Sequence, residues 1–570
     1  MNEPKKHIEG VIITNKAKCR DCNRCVRHCP VKAIKIEHSQ AAVIHELCIA
    51  CGICVLQCPQ KAKQYRNEVE KVKQLIRQGS FVALSVAPSY AAAYSEWERK
   101  RLPSALRQIG FSYIGETAIG AYHTALKTKE FIETSPKKSY IFTACPSVVS
   151  YVEKYAPKYI PNLVPVVSPM IAHGKLIKEK YSNAKIVFVG PCIAKKAEAE
   201  RAEFAKLFDA VITFEELNEL LKWKNVIINQ CEESSFNEEP GLNSRLYPIE
   251  GGMLKTAMLD TDLISQKILS ISGVDELNDA LELISDTSEA YIIEPLFCEN
   301  GCINGPAMEQ KTSHFKFRSE IIKYNETNKG VTVADVDFSK LKTFYTKDDK
   351  TGFLQFDETQ ILETLKKTGK IKPEDELNCG ACGYSTCRLK AAAVLSGLAE
   401  LEMCVPYMRR LAEAKTDLVL KTDPNGVIIL DGKLQICSLN PAFKKMFSCS
   451  DAIIGKKISY LIDPDPFERL LAGEAQEIRK VVHYPSYNLI SHQICYSIKE
   501  ENQYIGIFVN ITDIYESKER IKEMKSETII QAQELIEHQI QMAQDLARFL
   551  GENTAKGELL MNKLIDSINK

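Results

Sequence analysis

The chain lacks an excess of either charge, a membrane-length apolar run and an apolar segment close to its first residue. Lys plus Arg and Asp plus Glu both number 74, and without a basic field we expect no nucleic-acid partner. No run approaches the roughly 20 apolar residues that a membrane helix needs. The opening MNEPKKHIEG has no apolar core of a signal peptide. We therefore expect a cytoplasmic protein that does not bind a membrane.

Cysteine, by contrast, is abundant and unevenly placed. Of the 20 cysteines, eight lie between Cys19 and Cys58 and four between Cys379 and Cys404. Clustered thiols in a chain without a secretion signal favour metal binding over disulfides. With 570 residues, the chain is predicted to form three to five domains of roughly 100 to 200 residues. The cysteines expected to be structural or free thiols are Cys231, Cys437, Cys449 and Cys495.

Four further cysteines follow short runs of β-branched or aromatic residues, which predict buried parallel strands. The runs YIFTA, IVFVGP and YII precede, in chain order, Cys145, Cys192 and the pair Cys298 and Cys302. Ligands collect at the carboxyl ends of strands in an open α/β sheet, so these thiols are expected to meet at one point. Four thiolates suit a 4Fe-4S cluster. For any one of them alone, a buried core cysteine is the simpler interpretation.

The sequence around these cysteines is more specific than their spacing. TACPSVV at Cys145, GPCIAKKAEAE at Cys192 and EPLFCENGCINGP at residues 294–306 resemble, in this order, the three cluster-binding signatures of the FeFe hydrogenase catalytic domain. The resemblance spans residues 80–335. It implies that the four cysteines hold the 4Fe-4S cubane of an H-cluster. It also implies that Cys302 bridges to a di-iron unit carrying carbonyl, cyanide and a dithiolate amine.

The same resemblance implies roles for side chains around that cluster. Lys195 would donate to a cyanide, because an ammonium is a compact positive donor; the alternative is a solvated surface lysine. Glu198 would pair with Lys195 or orient its loop. Pro88 and Ser89, in an Ala-Pro-Ser that begins at Ala87, would contact a diatomic ligand, although Pro88 also suits a strand end. The glycines of EGGMLKTA, Gly251 and Gly252, weakly resemble a turn near the active site and are equally consistent with a plain turn.

The sequence departs from the fast hydrogenases at the residue before the first cluster cysteine. There the family has a second cysteine, whose thiol passes protons between the di-iron unit and solvent, whereas this chain has Ala144. A methyl group cannot relay a proton. Methionines of the family are replaced by Gly190 and Leu296. We therefore expect slow turnover unless Ser, Glu or water provides another route, a pattern similar to the sensory branches of the family.

The first cysteine cluster is a repeated C-x2-C-x2-C-x3-C-P. It resembles a bacterial two-cluster ferredoxin, in which the fourth cysteine of each motif ligates the other cluster. Zinc is the competing metal, but two complete copies of this motif argue against it. The resemblance implies one cluster on Cys19, Cys22, Cys25 and Cys58, and a second on Cys48, Cys51, Cys54 and Cys29.

The second cluster is C-x2-C-x4-C-x16-C, made by Cys379, Cys382, Cys387 and Cys404. It resembles a small 4Fe-4S domain that is appended to redox proteins. The Ala- and Leu-rich residues 389–403 predict a helix that returns the last ligand. Zinc is the alternative on spacing alone.

The remainder of the chain has no cysteine cluster. Two strand-like runs joined by a DPNG turn, then Asn440 opening a helix, resemble the entry to a PAS domain, and residues 504–514 resemble its last strand. Cys437 is expected to be a core residue rather than a cofactor ligand.

Residues 516–550 contain no Gly or Pro, and apolar residues recur there at intervals of seven, which predicts a coiled coil interrupted at Gln539. The alternative is a helix packed on its own PAS domain.

These signals predict a multidomain α+β and α/β protein. The expected divisions are a two-cluster ferredoxin-like module (1–66), an α/β hydrogenase catalytic domain (67–370), a small 4Fe-4S domain (371–410), a PAS domain (411–515) and a helical or coiled-coil tail (516–570).

The predicted function is slow interconversion of dihydrogen with protons and electrons, used to sense dihydrogen or redox state through the PAS domain. The expected partners are ferredoxin or another electron carrier, hydrogenase maturation proteins, a second copy through the PAS domain and tail, and a separate signalling protein. One alternative is a ferredoxin-linked hydrogenase of fermentation with high turnover. Another is an electron-transfer or assembly protein that lacks the di-iron unit.

Overall fold

The computed structural model describes residues 10–37, 40–135, 139–259, 267–308, 313–328, 336–348, 356–498, 501–513 and 536–543. The chain forms two compact units, Met1–Cys404 and Val405–Lys570. The division into five domains is finer than this and stays a prediction. Among the described residues, no helix combines the length and the apolarity needed to cross a membrane.

The first unit opens with a small module, residues 10–65, that we call the dicluster module. Two antiparallel strand pairs, β1 with β4 and β2 with β3, support two short helices. Asn23 and Gly52 precede these helices with positive φ, which turns each cysteine loop sharply into its helix. The elements are β1 (Ile12–Thr14), α1 (Arg24–His28), β2 (Ile34–Glu37), β3 (Gln40–Val43), α2 (Ile53–Leu56) and β4 (Lys63–Tyr65).

A four-stranded parallel sheet forms the core of the next region. Its order is β6-β5-β8-β9, and the central strand β5 is buried at all five positions, as expected for a strand with helices on both faces. The elements up to the end of this sheet are α3 (Val69–Arg77), β5 (Val82–Val86), α4 (Tyr90–Ala93), α5 (Glu96–Ile109), β6 (Tyr113–Glu116), α6 (Ala118–Thr134), β7 (Tyr140–Ile141), α7 (Pro146–Tyr155), α8 (Pro169–Lys180), β8 (Lys185–Val189), α9 (Ala194–Ala199), β9 (Ala210–Ile212) and α10 (Phe214–Trp223).

A second parallel sheet has three strands in the order β10-β11-β7. The expectation of one sheet carrying all the cysteine-bearing strands is therefore wrong: β8 belongs to the first sheet, and β7 and β11 belong to the second. Apolar runs predict where strands end, but pairing depends on tertiary contacts. The elements are α11 (Gly252–Thr256), β10 (Ile268–Ser272), α12 (Val274–Asp286), β11 (Ile292–Leu296), α13 (His314–Glu326) and α14 (Phe338–Leu341).

The first unit ends in the small iron–sulfur domain, residues 371–404, preceded by α15 (Glu358–Lys367). The helix predicted over 389–403 is shorter than expected. α16 (Cys387–Leu395) ends before Gly397, whose φ of +69° reverses the chain, and a separate 3-10 turn covers Leu401–Met403. Glycine in this conformation is a common helix stop.

The second unit contains a five-stranded antiparallel sheet in the order β13-β12-β16-β15-β14, the fold expected of a PAS domain. Aromatic side chains fill its core, and the rings of Phe443, Phe447 and Phe508 contact one another. The prediction that Cys437 is a core residue is wrong, because it is exposed on the edge strand β13. The elements are α17 (Val405–Thr422), β12 (Gly426–Leu430), β13 (Ile436–Leu439), α18 (Pro441–Met446), α19 (Asp465–Leu471), β14 (Glu477–Tyr484), β15 (Leu489–Ile498) and β16 (Gln503–Asn510).

Most of the predicted coiled-coil segment lies outside the described residues. Its described part, 536–543, is helical and packs on the sheet of its own PAS domain. Ile536 is 1% exposed among apolar side chains of β12, β15 and β16. Gln539 accepts a hydrogen bond from Asn425 Nδ2 at 2.6 Å. For this stretch the structure has the packed helix that was the alternative to a coiled coil.

Candidate active site

A cavity of about 90 Å³ lies beyond the carboxyl ends of β5, β7, β8 and β11. The two sheets meet there, so strand ends that belong to different sheets deliver their cysteines to one place. Eight residues proposed from the sequence for the catalytic centre line this cavity: Pro88, Ser89, Ala144, Cys145, Cys192, Lys195, Cys298 and Cys302. The structure brings these residues together, while their individual roles stay predictions.

The cavity strongly disfavours free thiolates. Burial raises the pKa of Cys192 to about 11, and the neighbouring thiol of Cys145 adds to the rise. Burial and the other cavity thiols also raise the pKa values of Cys298 and Cys302. A buried group of thiols that repel one another when ionised needs positive charge from a bound metal to become ligands. This donor set fits a 4Fe-4S cubane.

Lys195 is the cavity's cation, and it is 8% exposed. Its Nζ donates to Glu198 Oε2 at 2.7 Å, to Ser168 Oγ at 2.9 Å and to the Ala144 carbonyl at 3.3 Å. The interpretation of Lys195 as a solvated surface lysine is wrong, and the pairing with Glu198 is present. An ammonium held in this way faces the cavity as a fixed positive charge.

Two buried hydroxyl groups add to the fit of a further ligand. Ser89 and Tyr247 both line the cavity, and their hydroxyl oxygens find no hydrogen-bond partner among the described residues. An unsatisfied buried hydroxyl is costly in a folded protein. A polar ligand beside the cubane would remove this cost, as the predicted di-iron unit with its diatomic ligands would.

The cavity wall next to Cys145 is apolar at the position where the sequence has alanine in place of a proton-carrying cysteine. Ala144 lines the cavity with its methyl group, and Leu296 lines it from β11. Gly190 is not among the residues that line it. A Cβ there would lie 2.7 Å from the Phe188 ring and 2.9 Å from Ala87 Cβ, so a larger side chain at this position would require its neighbours to move.

Glu294 is a buried acid that the sequence analysis did not single out. It accepts hydrogen bonds from the backbone N–H groups of Met253 and Leu254 at 2.9 and 3.2 Å, at the start of α11. Burial raises the pKa of Glu294 to about 7. In the sequence, the position of Glu294 directly after the apolar run YII was the signal that could have indicated a buried acid.

Gly251 and Gly252, the glycine pair of EGGMLKTA, lie at the start of α11. Gly251 has a φ of +75°, and a Cβ on Gly252 would lie 2.0 Å from the Leu246 carbonyl oxygen. Both positions therefore require glycine for geometric reasons. The plain-turn interpretation accounts for them.

In the dicluster module the thiols of the predicted cluster cysteines lie close enough to affect one another. Burial raises the pKa of Cys25 to about 11, with smaller contributions from Cys22, Cys19 and Cys58. Burial also raises the pKa of Cys51, and the thiols that contribute are Cys29, Cys54 and Cys48. Cys25 in turn contributes to the raised pKa of Cys54, so the eight thiols lie near one another, and their division into two crossed clusters stays a prediction.

The second of these groups reaches the cavity. Cys51 lines it together with the four cysteines, and its thiol contributes to the raised pKa of Cys298. Helix α7, which begins at Pro146 directly after Cys145, holds the module in place. Lys154 Nζ donates to the Cys48 carbonyl at 3.1 Å, and Tyr155 Oη donates to the Leu47 carbonyl at 2.6 Å.

The third group belongs to the small iron–sulfur domain. Cys382 and Cys404 are buried, and Cys379 is exposed. Burial raises the pKa of Cys382, with contributions from Cys404 and Cys379. Cys387 lies at the first residue of α16.

No group of three or more His, Cys, Asp or Glu side chains in the described part of the chain has the geometry of a site for a single metal ion. A zinc ion would draw four sulfurs to about 2.3 Å from one centre. In a cubane each thiolate binds a different iron, so its ligands stand farther apart.

Comparison with known proteins assigns these regions. Residues 80–306 match the family described as iron only hydrogenase large subunit, C-terminal domain. Residues 11–73 match a 4Fe-4S dicluster domain, 375–406 an Fe-S cluster family and 422–482 a PAS domain.

Two curated relatives are hydrogenases. The NADP-reducing hydrogenase subunit HndD of Solidesulfovibrio fructosivorans is 24% identical over 342 residues, covering 50% of this chain and 55% of the relative. The periplasmic Fe hydrogenase large subunit of Nitratidesulfovibrio vulgaris is 28% identical over 278 residues, covering 43% and 66%. The chain thus matches between about half and two thirds of the length of these relatives.

Solved structures give similar matches by region. A variant of the FeFe-hydrogenase HydA1 from Chlamydomonas reinhardtii has a TM-score of 0.41 at 15% identity and covers 49% of this chain and 99% of its own. The PAS domain of an HTR-like protein from Haloarcula marismortui has a TM-score of 0.16 at 15% identity, covering 19% and 98%. By the family matches, the chain contains the C-terminal domain of an iron-only hydrogenase large subunit, preceded by a 4Fe-4S dicluster domain and followed by an Fe-S cluster region and a PAS domain.

Proposed function

We propose that this protein interconverts dihydrogen with protons and electrons at the cysteine-lined cavity, slowly, and reports dihydrogen or redox state through its PAS domain. The observation that carries the proposal is the cavity itself. Four cysteines, the buried Lys195 and the unpartnered hydroxyl of Ser89 line one space of about 90 Å³. A family match over residues 80–306 supports the reaction class.

In this proposal Cys145, Cys192, Cys298 and Cys302 hold the cubane, and Cys302 also bridges to the di-iron unit. When bound, the di-iron unit with its carbonyl, cyanide and dithiolate amine supplies the centre at which dihydrogen is cleaved or formed. Lys195 presents a positive donor that Glu198 and Ser168 hold in place. Ser89 and Pro88 line the same cavity. Other proteins, the hydrogenase maturation proteins, must make and insert the di-iron unit.

Electrons would leave through the dicluster module. Cys51 borders the cavity, so the group of Cys29, Cys48, Cys51 and Cys54 is the first relay. The group that contains Cys22, whose side chain is exposed, is the point where ferredoxin or another carrier would exchange electrons. Exchange at an exposed cysteine suits a carrier, because electron transfer falls with distance through the protein.

The sensory role is supported by two features. Ala144 places a methyl group where the fast hydrogenases have a thiol that moves protons, so proton delivery is expected to limit turnover. A PAS domain follows the iron–sulfur domains. The signal would pass to a separate protein, with two copies of the chain joined through the PAS domain and tail in the cytoplasm.

Infrared spectroscopy tests the proposal. The protein would be made with and without the hydrogenase maturation enzymes, purified without oxygen and brought to equal 4Fe-4S content, so that only the di-iron unit differs. Iron-bound carbonyl and cyanide bands that shift under dihydrogen are expected in the first sample alone. Absence of such bands, with all cubanes loaded, would favour the electron-transfer or assembly alternative. Bands with high turnover would favour the fermentative hydrogenase.

A further inference from the structure

The small iron–sulfur domain lies against the dicluster module, although the whole hydrogenase region separates them in the sequence. Arg27 Nη1 donates to the Ala381 carbonyl at 3.3 Å. Gly383 has a φ of +94°, and a Cβ there would lie 2.8 Å from Val26 Cγ1 and 3.1 Å from Arg27 N. The contact at this point is backbone against backbone and leaves no space for a side chain.

Two side chains of this contact lie close to thiols of both domains. Lys32 Nζ donates to the carbonyls of Val26 and Arg27 at 3.2 and 3.1 Å, which closes the carboxyl end of α1. Burial lowers the pKa of Lys32, and the neighbouring thiols of Cys29 and Cys382 both act in the opposite direction. Tyr384 is buried, and it belongs with Val26, Cys29 and Cys382 to one cluster of packed, buried side chains. Cys29 and Cys382 therefore lie at the same packed contact between the two domains.

The other end of the same thiol group borders the hydrogenase cavity. Cys51 lines that cavity, and Cys51 and Cys29 belong to one group in the dicluster module. The group thus touches the cavity through one cysteine and the small domain through another. Along the chain the order is dicluster, hydrogenase, small domain, whereas in space the dicluster module lies between the other two cysteine groups.

We propose that the group of Cys29, Cys48, Cys51 and Cys54 is an electron branch point, and that the small domain is a second electron exit reached through the Cys29 side. In this step one electron would pass from a cluster held by Cys29 to a cluster held by Cys382, oxidising the first and reducing the second; no bond would form or break, and no proton would move. The electron comes from dihydrogen, which yields two electrons and two protons, or from a reduced carrier. The first of these sources rests on the proposed function, whereas the branch itself does not.

Packing alone is the competing explanation of the contact. Asp21 of the dicluster module and Glu400 of the small domain carry like charges, and the proximity of Glu400 adds to the rise that burial causes in the pKa of Asp21. Attraction between opposite charges therefore does not explain the contact at this point. A packing contact would bring the surfaces together without requiring the clusters to interact. Electron exchange requires the two clusters to be close enough for their unpaired spins to interact magnetically.

Electron paramagnetic resonance of the dithionite-reduced protein tests this in full-length protein that contains only its cubanes. We expect that Cys387→Ser, which removes a ligand of the small domain's cluster, removes one component of the spin–spin broadening and leaves the component that arises among the other three cubanes. Gly383→Ala should remove the same component, because the added methyl pushes on Val26 and Arg27. The matched control is Gly397→Ala. It adds the same methyl in the same domain at a φ of +69°, but meets nothing within 4 Å, so broadening should persist.

Iron content is measured on each variant so that cluster loss is not mistaken for separation. If Gly383→Ala loses its cluster, Arg27→Ala, which removes the hydrogen bond to Ala381 without changing the ligand loop, carries the test and should weaken the broadening. Broadening that is unchanged in Cys387→Ser, or in a fully loaded Gly383→Ala, would overturn the branch point. Because no di-iron unit is needed, these outcomes are independent of whether the infrared bands of the proposed function appear.

Discussion

At the scale of single residues, Ala144 is the position where the cavity differs most from a fast catalyst. Its methyl group faces the same space as the four cysteines, and its carbonyl accepts from Lys195. We predict that Ala144→Cys raises dihydrogen turnover about 100-fold, the lower end of the range of about 10²- to 10⁴-fold that a positioned proton carrier contributes. Turnover is measured as dihydrogen evolution on protein matched for infrared band intensity.

Ala144→Val is the control, since valine adds volume to the same wall without a titratable group and should not accelerate turnover. A cysteine variant with full band intensity and wild-type turnover would mean that proton transfer at this wall is not limiting. The slow step would then lie in the reaction of the di-iron unit or in electron exit.

Glu294 is predicted to titrate near neutral pH. Its pKa is raised to about 7 by burial, although two backbone N–H groups stabilise the ionised form. The folded state then keeps a proton that the unfolded chain, with an ordinary Glu pKa near 4.5, has already lost. Stability from this group is therefore fully present below about pH 4.5 and falls as pH rises to about 7, by about 3 kcal/mol.

The measurement is an infrared difference spectrum between wild type and Glu294→Gln across pH 5 to 9. We expect a carboxylic acid carbonyl band in the wild type at low pH that disappears with a midpoint near 7. If the Glu294 carboxyl is already ionised at pH 5.5, its pKa is not raised to about 7 and the prediction is wrong.

The sequence predicted the chemistry of this site better than its surroundings. Cysteines and Lys195 stand in motifs, so their meeting in one cavity could be anticipated. Tyr247 and Ser168 come from loops far from those motifs, and only the fold brings them to Lys195 and the cavity. Burial of Lys195 could not be inferred from a Lys-Lys pair, because its partners depend on tertiary packing.

At the scale of elements, helix α7 joins the cubane cavity to the dicluster module. It starts at Pro146 after Cys145, and Tyr155 in its last turn donates to the Leu47 carbonyl at 2.6 Å. We predict that Tyr155→Phe weakens this contact by about 1 kcal/mol. Amide hydrogen exchange in residues 46–51 should then rise about fivefold, since local opening follows the lost free energy.

Tyr151→Phe is a matched control on the same helix. Its hydroxyl donates to Asn278 Oδ1 at 2.7 Å and not to the dicluster module. Exchange in residues 46–51 should stay at the wild-type rate in this variant. Equal exchange in both variants would mean that α7 does not hold the module through Tyr155.

Element prediction was reliable where a residue pattern decides the structure locally. The strands β8 and β11 lie where the apolar runs before Cys192 and Cys298 placed them. The number of sheets was missed, because the sequence of a short parallel strand does not show which strands will pair with it. The end of α16 was also missed, although Gly397 was a visible stop signal.

At the scale of the whole molecule, the described part of the tail bears on the proposal that two copies of the chain join through it. The seam predicted for a coiled coil uses Ile536, but in the structure Ile536 and Ile540 pack on the PAS sheet. One apolar face cannot serve both contacts at once. A dimer through the tail would therefore require residues outside 536–543, or release of this helix from the sheet.

We predict that removing residues 516–570 leaves the infrared bands and dihydrogen turnover intact and weakens dimerisation. Light scattering after size separation gives the mass of each form over a range of concentrations. Removing only 544–570 is the control, because it keeps the helix that covers Val427, Ile494 and Ile505. If the longer deletion is monomeric and the shorter one dimeric, residues 516–543 carry the contact; if both keep the full-length mass, the tail does not dimerise the protein.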